Sequence, residues 1–184
     1  MDTPTVRADA AASWDLLTTR AAEEPDPRRR AHLQTVLRHL VVEVAGDLDA
    51  TMATLVPEPD YRVWGATDHD GPKGQEAVRT MYQASFAKGK NRLEFAIDRV
   101  MVDDEAVVTE GVFRHAYRGA ALVADGVARD LEPEARYLVE YRALVVWVMT
   151  PDSLVMGEDT YKAEPTRLVR RLGPGELPHL GLPN

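Results

Sequence analysis

The sequence predicts an α+β fold in which helices come first and an antiparallel sheet follows. Three observations carry this. Apolar residues recur at steps of three and four through the first half. The period switches to alternation after Gly89. Turn residues then separate the alternating segments, so helices should pack on one sheet face. At 184 residues, one domain with extensions is expected, large enough to bury a core without staples.

Residues 8–22 read as a helix with Trp14 and Leu17 on one face, ended by the prolines at 25 and 27. Residues 1–27 are expected to be a peripheral extension. The clearest helix follows, with a stripe of Leu33, Val36, Leu37, Leu40, Val41 and Val44, and with His32, Arg38 and His39 on the other side. Gly46 stops it. Asp47 caps a short helix burying Leu48, Met52 and Leu55. Residues 61–64 read as a strand and 65–74 as a polar loop. A further helix over 75–87 turns Val78, Met81, Tyr82 and Phe86 inward, and Gly89 closes it.

Leu93, Phe95 and Ile97 begin a half-buried strand. Strands over 107–117, 137–149 and 154–162 follow, the last two joined by Thr150-Pro151-Asp152-Ser153 with proline where a turn favours it. The tail from Gly173 reads as irregular.

Composition narrows the function. A net charge of −8 disfavours nucleic acid, which selects cationic surfaces. Arg28-Arg29-Arg30 and Arg167 with Arg170-Arg171 read as solvated helix ends. The chain has no cysteine, which removes disulfides and thiol chemistry and fits a reducing compartment. Residues 1–12 do not read as a signal peptide, and the longest apolar run is too short to span a bilayer. A soluble cytoplasmic protein is expected. No P-loop, dinucleotide fingerprint or hydrolase triad motif is present, so no cofactor is expected. Asp68-His69-Asp70 reads as a loop rather than a metal site.

The arrangement resembles the nuclear transport factor two-like superfamily, particularly its SnoaL-like branch. The residues that carry the likeness are 46–55, the run Gly74-Gln75-Glu76-Ala77-Val78-Arg79-Thr80-Met81-Tyr82, and Gly157-Glu158-Asp159-Thr160-Tyr161 in the last hairpin. They place a cone domain at 28–163 and leave 164–184 as a tail. The resemblance implies a strongly curved sheet whose concave face, with three helices, closes a cone-shaped apolar pocket. Relatives include isomerases, dehydratases, polyketide cyclases, epoxide hydrolases and noncatalytic binding or dimerisation modules. The chain departs from the branch by a longer connection at 119–136, and by Glu158 where an aromatic residue is common.

Strand parity selects the candidate residues. His115 shares a row with Thr109, Gly111, Phe113 and Tyr117, and imidazole titrates near neutrality. Asp159 falls on the more apolar row of the last strand with Val155, Gly157 and Tyr161. An acidic group on the final strand is also what the resemblance implies. His115 and Asp159 are the expected acid and base, with Tyr141 orienting the substrate. Tyr61, Trp64, Tyr82, Phe113, Trp147 and Tyr161 are expected to line the pocket. Val100, Val102, Leu138, Leu144, Val146 and Val148 read as a second apolar face, so a homodimer through the outer sheet face is expected. The expected function is acid–base chemistry on an apolar small molecule bearing a carbonyl or hydroxyl. The alternative is a noncatalytic ligand-binding or dimerisation module with the same pocket.

Overall fold

The computed structural model describes residues 11–64 and 70–180. A single 3-10 turn, Ala11–Trp14, leads into α1 (Asp15–Glu23), and α2 (Pro27–Ala45) follows. The carboxylate of Asp26 accepts from the backbone N–H groups of Arg28 and Arg29, and Pro27 needs no donor at that position. Gly46 ends α2 at φ 76°, a conformation costly for other residues. Asp47 caps α3 (Leu48–Met52). After β1 (Asp60–Trp64) and β2 (Asp70–Lys73) comes α4 (Gln75–Ala87), then β3 (Glu94–Val102), β4 (Ala106–Arg118), α5 (Gly119–Ala124), β5 (Arg136–Met149), β6 (Val155–Lys162) and β7 (Arg167–Arg171).

The strands form one mixed, curved sheet in the order β2-β1-β6-β5-β4-β3, with β7 paired to β5 beyond the end of β6. Among the strands of the described residues, β1 and β6 run parallel and the other pairs are antiparallel. The main core lies between the helices and the inner sheet face. Leu17, Leu33, Val36, Val78, Phe95, Val107 and Val155 are fully buried there. The segment expected to be peripheral therefore supplies Trp14, Leu17 and Ala21 to the main core.

Two strands were not expected. β2 lies within the stretch read as a loop and carries Pro72, which an edge strand tolerates. β7 contains Arg167, Arg170 and Arg171, so that cluster is an edge strand rather than a helix end. Its alternation is hidden because its side chains are mostly exposed. The connection at 119–136 holds α5, whose Leu122 packs on Tyr137 and Val139.

Of the breaks in register, those in β3 and β6 decide which side chains face the core. In β3, Ile97 faces Gly111 and Arg99 faces Glu110, so Asp98 is an extra residue. Val100 and Val102 consequently pack against the main core, not on the outer face. In β6, Gly157 faces Val148 and Val155 faces Met149, leaving Met156 as the extra residue. On the outer face, Leu138 is covered by the chain's own Leu172 and Leu180. Among the described residues no helix is long and apolar enough to cross a membrane.

Candidate functional site

The second bulge decides which acid reaches the interior. Trp147 points inward and pairs with Glu158, whereas Asp159 pairs with Val146 on the opposite face. Glu158, Thr160 and Lys162 therefore line the hollow of the sheet, and Asp159 is directed away from it. A one-residue slip turns every later side chain over. The parity reading that favoured Asp159 was correct for an unbroken strand and fails at Met156.

From the helical side, α2 presents His39 and Glu43 to the same place. Positions 32, 36, 39 and 43 follow one face of the helix. His32 and His39 are fully buried, contrary to their expected solvent position. His32 ties the helix to the β5–β6 turn through Ser153 Oγ at 2.8 Å.

His39 sits in a chain of hydrogen bonds that fixes its protons. The Thr54 hydroxyl donates to the Thr51 carbonyl at 2.6 Å, so its oxygen must accept from His39 Nδ1–H, also at 2.6 Å. On the other side, Nε2 lies 2.9 Å from the Tyr82 hydroxyl and 3.2 Å from Glu158 Oε1. Tyr82 spends its one proton on Glu158 Oε1, at 3.1 Å, and lies 3.0 Å from the Tyr61 hydroxyl. Nε2 must then donate as well, which makes His39 an imidazolium facing a carboxylate.

The electrostatics agree with that count. Burial opposes the charged imidazole, but the bond to Glu158 and the charges of Glu158 and Glu43 outweigh it and hold His39 above its ordinary range. Glu43 Oε2 is 3.8 Å from Nε2. Its carboxyl is pushed up to about 7, first by burial and then by the Glu158 charge, with His39 acting against both. Burial and the same carboxylate hold Tyr61 and Tyr82 protonated far above neutrality.

A cavity of about 840 Å³ opens from this cluster, bordered by Glu43, Glu158, Val145 and Trp147 at one end. Its far wall comes from α5 and the residues after it, with Leu122 and Val127. A smaller hollow of about 550 Å³, bordered by Tyr61 and Tyr82, shares Glu43, Lys88, Lys90, Tyr141, Glu158 and Lys162 with it.

An aromatic row runs along the inner face of β4 and β5. Phe113 stacks on Tyr141 at 5.2 Å, and His115 stacks on Tyr141 at 5.9 Å and on Tyr117 at 5.3 Å. Burial, with Lys90 and Lys162 nearby, drives His115 down to about 3, so it is neutral at pH 7. Burial also raises Tyr141, which keeps its proton.

Of the other expected lining residues, Phe113 and Trp147 border the large cavity, and Tyr61 and Tyr82 border the small one. Trp64 and Tyr161 instead stack on each other at 5.9 Å, with Tyr161 exposed, and border neither. Sequence reasoning missed His39, Glu43 and Glu158. The available signal for the first two was the i, i+4 spacing of polar groups beside Val36 and Leu40 on a buried face. Among the described residues no group of three His, Asp or Glu side chains is arranged to hold a metal. Asp68, His69 and the side chain of Asp70 lie outside the described residues.

Comparison with solved structures returns the same architecture. A putative SnoaL-like polyketide cyclase from Jannaschia sp. CCS1 aligns with a TM-score of 0.58 at 20% identity, covering 77% of this chain and 91% of that one. SalBIII, an epoxide hydrolase/cyclase-like enzyme of pyran ring formation in the polyether salinomycin, aligns at 0.56 and 12% identity over 75% and 95%. A Mycobacterium tuberculosis epoxide hydrolase, described as LEH-like, aligns at 0.51 and 18% identity over 74% and 85%. At such identities the likeness is one of fold. No curated protein gives a significant match. The SnoaL-like domain model matches residues 34–130, just over half the chain. The chain belongs to the SnoaL-like domain family.

Proposed function

We propose that the protein is a cofactor-independent acid–base enzyme acting on an apolar small molecule that bears a carbonyl, hydroxyl or epoxide oxygen. One observation carries this: two carboxyl groups, Glu43 and Glu158, meet one buried imidazole at the wall of a cavity. Their environments drive their roles apart. Glu158 Oε1 is engaged by Tyr82 and His39, and its Oε2 is the oxygen offered to substrate. Glu43, at about 7, keeps a proton it can give at neutral pH. A base and an acid side by side suit enolisation, dehydration or ring opening, in each of which one site loses a proton while an oxygen gains one. Structural relatives described as cyclase-like and epoxide hydrolase-like support this class. The acid–base pair expected from sequence, His115 and Asp159, is replaced in this reading by Glu43 and Glu158.

Solvent exchange tests it. Apolar ketones such as 2-tetralone are incubated in D2O, and loss of the α-proton signal is followed by NMR. The wild-type protein is expected to accelerate exchange, and Glu158→Gln to abolish the acceleration. Ketones that bind without faster exchange would favour the noncatalytic binding module.

The outer sheet face supports a homodimer as part of the same proposal. Met101, Val108 and Val146 align across β3, β4 and β5, beside Leu144, Val148 and exposed Tyr161. Sedimentation showing only monomer at micromolar concentration would exclude it. The cysteine-free composition supports a cytoplasmic setting.

A further inference from the structure

Basic side chains are concentrated at the cavity. The chain contains only four lysines, and three of them, Lys88, Lys90 and Lys162, border this one cavity. The chain as a whole carries −8, so the concentration is not a by-product of composition. Lys162 is half-buried, with Nζ 4.2 Å from the centre of the Tyr141 ring and donating to Thr166 Oγ1 at 2.8 Å. Lys88 and Lys90 are exposed at the rim. Among the described residues, no ion pair engages any of these three ammonium groups. Arg118, also on the wall, is bonded to Glu134. Asp125 is the acid nearest that end of the cavity.

Beneath the lysines lies a second polar group without a match. His115 is 5% exposed, and its Nδ1 has no hydrogen-bond partner among the described residues. Neither ring nitrogen has a hydrogen-bond partner among the described residues, so the imidazole has bonding capacity to offer a ligand. It borders the cavity between Tyr117 and Tyr141, next to the ring that carries Lys162.

We propose that the cavity takes its substrate as an apolar carboxylate, its anionic head held by Lys90, Lys162 and His115 and its body laid along Phe113, Tyr141 and Trp147 toward Glu158. This rests on the acid–base reading for the identity of the reacting end. Along β6, Glu158 stands opposite Trp147 and Lys162 opposite Ala143, so a head seated at Lys162 sends the body along the strand toward Glu158. His115 Nδ1 is covered, and a neutral imidazole with its hydrogen on Nε2 donates to a carboxylate oxygen without adding charge. A singly charged head suits a site built of separate ammonium groups, with Asp125 close by, better than a phosphate does. Phosphate favours forked guanidinium or backbone N–H cradles.

The probe is 2-naphthylacetate, compared with its uncharged analogue 2-naphthylacetamide and with 2-naphthyl phosphate, by isothermal titration calorimetry on the full chain. The carboxylate is expected to bind at least tenfold tighter than the amide, with an advantage that shrinks as salt rises. Lys90→Met and Lys162→Met should each reduce the advantage several-fold while leaving amide binding unchanged, and Lys162→Arg should restore it. His115→Phe should weaken the carboxylate alone. Equal affinity for acid and amide, binding of neither, a preference for the phosphate, or lysine variants that keep the wild-type ratio would each overturn the assignment. Ketone exchange in D2O reads the Glu43–Glu158 end independently. Exchange that persists while the carboxylate preference fails would sink the head-group site alone.

Discussion

His39 Nε2 on α2 and Glu158 Oε1 on β6 lie 3.2 Å apart, joining helix to sheet at the cavity wall. Tyr82 from α4 completes the contact, so three separate elements converge on one carboxylate oxygen. The contact exists because the bulge at Met156 turns Glu158, not Asp159, toward the helices.

The two neighbours therefore separate the readings of the last strand. Glu158→Gln keeps shape but removes the base, and is expected to lower kcat/KM by roughly 10²–10⁴-fold. Asp159→Asn, on the opposite face, should stay within a few-fold of wild type. Steady-state kinetics on any active ketone or epoxide decides. The reverse order of effects would return the base to Asp159.

Glu43 makes stability fall as pH rises. Between its unfolded value of 4.5 and about 7, the native state holds a proton that the unfolded chain has released. Stability from this group is complete below 4.5 and is lost as pH climbs through about 7. His39, raised above 6.5 in the fold, acts in the same sense, since its charged form is retained natively after the unfolded chain has given it up. Thermal unfolding should show Tm declining from pH 5 to pH 8. Glu43→Gln should flatten the curve and gain on the order of 1–3 kcal/mol at pH 8. The same variant should lose the activity limb that falls above about pH 7. A wild-type Tm that climbs over this range would contradict the assignment.

The helices and central strands were legible because each has one plainly apolar face. What escaped was the direction of individual polar side chains. On α2 the apolar count centres the stripe near Leu37, yet Val41 is 44% exposed and the buried side runs through His32, Val36, His39 and Glu43. Polar residues buried by mutual hydrogen bonding look like solvent-facing ones until the partners, here Thr54, Tyr82 and Glu158, are in place. Both bulges lack a strong local signature, since alternation is intact on either side of each. His115, Tyr141, Phe113 and Trp147 were placed on the inner face because β4 and β5 pair without a break over those positions.

The C-terminal segment is held by a buried acid. Glu94 is 1% exposed, and His179 Nε2 reaches its Oε1 at 2.7 Å, with Arg114 Nη1 3.7 Å from Oε2. His179→Ala strands part of that carboxylate and should cost about 1–3 kcal/mol. Chemical denaturation measures the loss. Limited proteolysis should cut the variant after Gly173 sooner than wild type. An unchanged midpoint would show that Arg114 alone satisfies Glu94.

Gly157 links the bulge to the parallel pairing of β1 and β6. A Cβ at this position would stand 2.0 Å from the Asp60 carbonyl oxygen, a backbone atom that cannot rotate away. Gly157→Ala must therefore push β1 from β6 or straighten the bulge, and either movement shifts Glu158, the next residue. A loss of about 2 kcal/mol or more is expected in urea unfolding. Activity should fall further than stability alone explains, because the carboxylate leaves Tyr82 and His39. Met156→Thr provides the control. Its side chain is 44% exposed, so the change should stay within about 0.5 kcal/mol and leave turnover intact. If Gly157→Ala were as mild as that control, the bulge would not be what aims Glu158.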